Sequence, residues 1–196
     1  MRRIPRKIVA ATTVGVLALA RLRNARRRGA VKSIATFTTA DGKPRVVTLG
    51  RGRFVRIWDA DSGRRLRRLP MSGASVHLAT FVSSTGSPRL AVLTADQEIH
   101  IWDPVAGNQI DELRIAEADM GSRLVAWNTT SGHPRIAVTC GDAGIRIIDP
   151  EAGTQDGLVL MGHEVAVVDL ATWFTPGGQP RLASSGDGVT LLWDPE

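Results

Sequence analysis

The chain has 196 residues, 43% apolar and 22% charged, which is the make-up of a folded domain and not of a fibrous or disordered chain. Its net charge is +6, but residues 1–32 hold 10 of the 25 basic residues and no acidic one, so residues 33–196 carry 15 basic against 19 acidic side chains and are net −4. That split removes overall basicity as an argument for nucleic-acid binding, since an attractive field must lie on the binding surface, and Cys140, the single cysteine, excludes an intrachain disulfide.

Residues 1–30 form a segment of their own. Arg2, Arg3, Arg6 and Lys7 precede an apolar run over 8–20, and Arg21, Arg23, Arg26, Arg27 and Arg28 follow it. As a helix the run would be about 20 Å long, too short for a hydrocarbon core of about 30 Å. Ala18-Leu19-Ala20 fits a small-residue cleavage site, while the arginines after it oppose translocation. A short basic helix or leader beside the domain is therefore expected. Attachment of residues 1–28 to an anionic membrane surface and export as a signal stay open beside it. The expected location is the cytoplasm, with membrane association as the alternative. The preference for Arg over Lys, with many Ala and Gly, points to a GC-rich genome of bacterial type.

From residue 31 the chain repeats itself. The copies are 31–70, 71–115, 116–161 and 162–196. A Pro-Arg pair recurs at Pro44-Arg45, Pro88-Arg89, Pro134-Arg135 and Pro180-Arg181, at spacings of 44, 46 and 46. A closing pair recurs at Trp58-Asp59, Trp102-Asp103, Ile148-Asp149 and Trp193-Asp194, at spacings of 44, 46 and 45. Two markers in step over four copies signify an array of small units that bury apolar surface against one another. Each copy reads as short strands between turn residues. The first strand ends on an aromatic (Phe37, Phe81, Trp127, Trp173), expected to wedge between sheets. The second opens at the proline, where a missing N–H matters little. The third ends on the Trp-Asp or Ile-Asp pair. A fourth is expected at 65–69, 109–115 and 157–160. In the last copy strands are expected at 165–173, 181–185 and 189–193, and no fourth follows.

These residues resemble the WD-repeat β-propeller family, of the G-protein β-subunit type. The last copy carries the resemblance best, through Gly162-His163, Ser184-Ser185, Asp187 and Trp193-Asp194. It implies an all-β fold of four blades, a partial propeller whose last blade lacks its outer strand. It also implies a hydrogen-bonded tetrad inside the blade, made by His163, Ser184 or Ser185, Asp187 and Trp193. The turn aspartate is kept as Asp96 and Asp142 in the middle copies and is Gly52 in the first. Gly-His is found only in the fourth, the second having Ser72-Gly73-Ala74. In the family's usual closure the N-terminus supplies the missing outer strand. Residues 8–19 lean helical here, so an open arc, the array of a fragment, is expected with the N-terminal helix apart from it.

Little else carries chemistry. His77, His100, His133 and His163 are scattered, and none stands at ligand spacing from Cys140, so no metal site and no cofactor are expected. No spacing places two carboxylates together. His163, Ser184 and Asp187 include the residue types of a nucleophilic triad, and a hydrolase using His163 with Ser184 or Ser185 is the minor alternative; buried inside a blade, the same residues instead tie strands together. Arg51, Arg53, Arg56, Arg64, Arg65, Arg67 and Arg68 cluster in the first copy. They read first as guards of an edge strand and second as a docking patch. Arg56, His100, Arg146 and Leu191 share one repeat position. The function expected is a non-catalytic protein–protein interaction scaffold or regulatory module, presenting loops 59–64, 103–108 and 149–156 to protein partners. Self-association to complete a ring is a further expectation; a small-molecule substrate is not, and nucleic acid is disfavoured. A membrane-anchored sensor using residues 1–28 is the main alternative.

Overall fold

A computed structural model of the chain describes residues 8–10, 18–20, 30–50, 53–115, 122–141, 143–152, 157–186 and 188–196. Strands β1 (Ile8–Ala10) and β2 (Ala18–Ala20) pair antiparallel. Four further sheets follow, each a meander in chain order. Blade 1 is β3 (Val31–Thr38), β4 (Pro44–Gly50), β5 (Phe54–Asp59) and β6 (Arg65–Pro70). Blade 2 is β7 (Ser75–Val82), β8 (Pro88–Thr94), β9 (Glu98–Asp103) and β10 (Asn108–Arg114). Blade 3 is β11 (Leu124–Asn128), β12 (Pro134–Thr139), β13 (Ile145–Ile148) and β14 (Leu158–Leu160). Blade 4 is β15 (Asp169–Phe174), β16 (Pro180–Gly186) and β17 (Val189–Trp193).

Two expectations are corrected. In place of a helix near the N-terminus, the described residues there are paired strands, Ile8 opposite Ala20 and Val9 opposite Leu19. The β-branched Ile8 and Val9 lose side-chain freedom in a helix and fit a pleated strand; the rest of that expected helix lies outside the described residues. The first strand of the last copy starts at Asp169, not at residue 165. Residues 162–168 instead bend past Gly186, where an added Cβ would stand 3.1 Å from the Ala166 carbonyl. That bend carries His163 under the sheet.

The same turn joins the first two strands of every blade. Thr39, Ser83, Thr129 and Thr175 each accept a bond on the side-chain oxygen from the amide four residues on, at 3.0–3.2 Å. Gly42, Gly86, Gly132 and Gly178 sit in those turns at φ of +78 to +85°, a region that side chains with a Cβ avoid.

Alternation then turns each sheet into a two-faced slab. Val47, Leu49, Val55 and Ile57 of blade 1 form one cluster with Leu78, Leu90, Val92 and Trp102 of blade 2. The opposite face of blade 2 meets blade 3 through Ala91, Leu93, Ile99, Ile101, Leu124, Ile136 and Val138. Blade 3 meets blade 4 through Ile145, Ile147, Leu170 and Leu182. A middle strand is thus covered on both faces, which is why β8 reads as an unbroken apolar run, Leu90 to Leu93 all buried. Each such side chain contributes roughly 1.5–3 kcal/mol. The first strands lie side by side, β3 against β7, β7 against β11 and β11 against β15. Side chains stitch them together: Thr80 donates to the Thr36 carbonyl at 2.7 Å and Asn128 to the Val82 carbonyl at 2.7 Å.

Blade 4 ends the row with one face uncovered. Ile57, Ile101 and Ile147 are 2–5% exposed, whereas Leu192, at the same repeat position, is 70% exposed. Trp127 is buried and Trp173, its counterpart, is 40% exposed.

Candidate functional site

The two repeat markers are the two halves of one ion pair. Arg45 meets Asp59 at 2.6 Å, Arg89 meets Asp103 at 3.4 Å, Arg135 meets Asp149 at 2.7 Å and Arg181 meets Asp194 at 3.1 Å. Each arginine also donates to the carbonyl of its own proline, at 2.8–3.0 Å. In the first three blades the aspartate turns its other oxygen to the loop that follows. Asp103 accepts from the amides of Val105 and Ala106 at 2.8 Å, and Asp149 from those of Glu151 and Ala152 at 2.9 and 3.2 Å. Asp59 accepts from the Ser62 hydroxyl at 2.7 Å and its amide at 2.8 Å; these bonds, and then the Arg45 charge, hold its carboxyl below the usual range. The pair therefore fixes where each rim loop leaves the sheet.

A second network lies inside the blades. His163 Nε2 and Ser184 Oγ are 2.8 Å apart, and Trp193 Nε1 donates to the same oxygen at 2.8 Å. Ser184 is the serine that faces inward, 1% exposed, while Ser185 pairs with Asp169 and Thr190 on the opposite face. Asp187 and Asp142 lie outside the described residues. Asp96 is exposed, its carboxylate lying against Gly73 with no room for a Cβ between them. In blade 1 Trp58 Nε1 donates to Thr48 at 2.8 Å. Position 48 recurs as Val92, Val138 and Ser184. Ile148, in the blade with Val138, needs no partner, but Trp102, in the blade with Val92, does, and its buried Nε1 has none. The Ser184 hydroxyl is enclosed by two bonds and by packing, so a substrate reaches it only if the blade opens.

The shared position ahead of the marker holds different chemistry in each blade. Arg56 is half-buried, and nearby the Arg68 guanidinium lies 3.8 Å over the Phe54 ring. His100 is buried with Nε2 3.3 Å from Glu98 and Nδ1 3.4 Å from Glu112. Gln109 Oε1 is 3.2 Å from Nδ1. Glu98, His100 and Glu112 thus offer one nitrogen and two oxygen donors within 4.8 Å of one another, a set of the kind that can hold a divalent cation. Neither a carboxylate pair nor a metal cluster was expected. Glu98 and His100 are two apart on β9, and Glu112 comes to them across the β9–β10 pairing. A Glu-x-His strand followed by a hairpin glutamate was the available signal.

The rim where the loops gather is the candidate interaction surface. Glu151, two residues past Asp149, accepts on Oε1 from the Ser84 amide in the turn of blade 2 at 3.0 Å. Glu196, two past Asp194, accepts from the Thr130 amide in the turn of blade 3 at 2.8 Å and from its hydroxyl at 3.1 Å. These carboxylates strap each loop to the preceding blade. Between blades 1 and 2 the corresponding residues are Val105 and Ala40, and both line a cleft of about 740 Å³. Phe37, Ile57 and Leu66 supply apolar wall, and Arg45, Arg67 and Arg89 supply positive charge beside two carboxylates that are already paired, Asp41 with Lys43 and Asp103 with Arg89. Arg67 Nη2 donates to the Val105 carbonyl at 2.8 Å. Asp41, on the same rim, is pulled down to about 2 by its bonds to Lys43 and Thr39. Arg53, Arg64, Arg65 and Arg68 are exposed, the last two on the outer strand β6; Arg51 and loop residues 153–156 lie outside the described residues. No helix among the described residues is long and apolar enough to cross a membrane.

No family model matches the chain, and no curated protein matches it. Solved structures do. The structure of U3-55K superposes with a TM-score of 0.66 at 20% identity, over 88% of this chain and 50% of that one. A chain of the crystal structure of the mitotic checkpoint complex gives a TM-score of 0.65 at 20% identity, over 92% of this chain and 52% of that one. Both are WD40 β-propellers, and the likeness is one of fold. The chain spans about half the length of the structures it matches.

Proposed function

We propose that the chain is a non-catalytic protein-interaction scaffold that receives a protein partner at the rim between blades 1 and 2. The observation that carries this reading is the cleft of about 740 Å³ with apolar walls and an arginine border. The other two rim junctions are strapped by Glu151 and Glu196. That one similar chain comes from a multi-protein complex agrees with such a role. The enclosed Ser184 hydroxyl argues against a hydrolase. The test is affinity capture by the whole chain and by Leu66→Glu, which puts a charge in the cleft wall. Proteins held by the first and lost by the second, at equal melting temperature, support the reading. An identical captured set overturns it.

The uncovered face of blade 4 favours a second surface, for self-association. Leu192 and Trp173 present to solvent the positions that the next blade covers elsewhere. Light scattering is expected to show concentration-dependent association that Leu192→Asp abolishes; a monomer at all concentrations contradicts it.

A further inference from the structure

We propose that the cleft between blades 1 and 2 binds a glutamate-bearing peptide segment of the partner, whose carboxylate occupies the place of the missing strap. The proposal rests on the interaction reading above and gives it a ligand chemistry.

The argument is a comparison of three equivalent junctions. At two of them a glutamate oxygen sits on the turn amide of the preceding blade, Glu151 on Ser84 and Glu196 on Thr130. Both belong to an Asp-Pro-Glu sequence, Asp149-Pro150-Glu151 and Asp194-Pro195-Glu196. The blade 2 loop keeps the first two residues as Asp103-Pro104 and then has Val105, whose side chain cannot accept a hydrogen bond. The equivalent turn amide is that of Ala40, a residue that lines the cleft together with Val105. The turn around it is built as in the other blades: Thr39 Oγ1 accepts from the Lys43 amide at 3.1 Å, and Gly42 N–H donates to the Thr39 carbonyl at 2.9 Å. The anchor geometry is therefore retained while the anchored group is not supplied from within the chain.

Charge favours the same ligand. Arg45 and Arg89 spend their charge on Asp59 and Asp103. Arg67 donates to a neutral backbone carbonyl, Val105 O at 2.8 Å, so its full positive charge stands at the cleft edge. A carboxylate entering beside Ala40 meets an amide donor and a guanidinium, the pairing that charge-assisted bonds prefer. Phe37, Leu66 and Val105 offer contact to an apolar neighbour of that glutamate.

Titration of the full chain with a blocked Leu-Glu-Leu tripeptide, followed by the amide resonance of Ala40, tests this. The resonance is expected to move with the glutamate peptide and at least tenfold less with Leu-Gln-Leu at equal concentration. Val105→Glu restores the internal strap, so in that variant the Ala40 amide is expected to be shifted already and insensitive to the peptide. Equal response to the two peptides, no response at Ala40, or an unchanged titration of Val105→Glu each overturns the proposal. If the peptide fails while Leu66→Glu still loses its captured proteins, the interaction reading stands and the carboxylate ligand does not.

Discussion

Trp102 has an indole N–H with nowhere to go. Its counterparts Trp58 and Trp193 donate to Thr48 and Ser184, while Val92 holds that position in blade 2. An orphaned buried donor loses roughly 1–3 kcal/mol relative to a bonded one. Val92→Thr is therefore expected to stabilise the chain by about 1 kcal/mol in urea unfolding, an unusual direction for adding a hydroxyl to a buried site. Ser184→Ala is expected to destabilise by roughly 1–3 kcal/mol, since it strips Trp193 and His163 of their shared oxygen. Equal and opposite results would contradict the network. His77 gives a second expectation. Burial first, and the Arg123 charge second, hold its imidazole below the ordinary value. The unfolded chain then binds the proton more readily, so stability is full above about pH 6.5 and is lost as pH falls below it. Melts between about pH 8 and about pH 5 are expected to show that decline, and His77→Gln to flatten it; an unaltered slope in the variant would contradict the assignment.

The strand-level device is the Arg–Asp clasp that joins the start of each second strand to the end of each third. Its worth depends on exposure. Arg45 and Asp59 are largely covered, whereas Asp194 is 60% exposed. Arg45→Ala is expected to lower stability by about 1 kcal/mol and Arg181→Ala by only a few tenths; the reverse order in chemical denaturation would refute this. The turns are a second device. Gly132 has φ of +85° and open space where a Cβ would sit, so Gly132→Ala tests backbone strain alone, at about 1 kcal/mol. Both devices were visible as letters before they were visible as contacts. The Pro-Arg and Trp-Asp spacings revealed the repeat, but a period does not say that the arginine of one marker grips the aspartate of the other. The turn motif, an aromatic followed two residues later by Ser or Thr and then by Gly-x-Pro-Arg, also recurs in all four copies. Hidden from linear reading were contacts made across strands or blades: Glu112 on His100 across a hairpin, Glu151 on Ser84 across a blade junction. Their partners lie 12 and 67 residues apart, and no local pattern encodes them. At the N-terminus Ile8–Ala10 and Ala18–Ala20 pair as strands, and short Ala- and Thr-rich sequences suit helix and strand almost equally.

At the scale of the molecule, four slabs share three interfaces, and stability is expected to follow the number of covered faces. The central strands β8 and β12 have a blade on each side. Strand β16 has a blade on one side only, and its sheet has three strands among the described residues. The proposed interaction surface follows from the same geometry: stacking brings the loops to a common rim, and the one rim junction with Val105 in place of a glutamate leaves the cleft.

Amide hydrogen exchange of the four central strands tests the stacked-blade arrangement most directly, because exchange reports local opening against the packing that opposes it. Pro88–Thr94 and Pro134–Thr139 are expected to exchange slowest and Pro180–Gly186 fastest of the four, with all of them slower than the rim loops. If Pro180–Gly186 proved the slowest of the four, or if all four exchanged as freely as the loops, the slabs would not share their faces in this way.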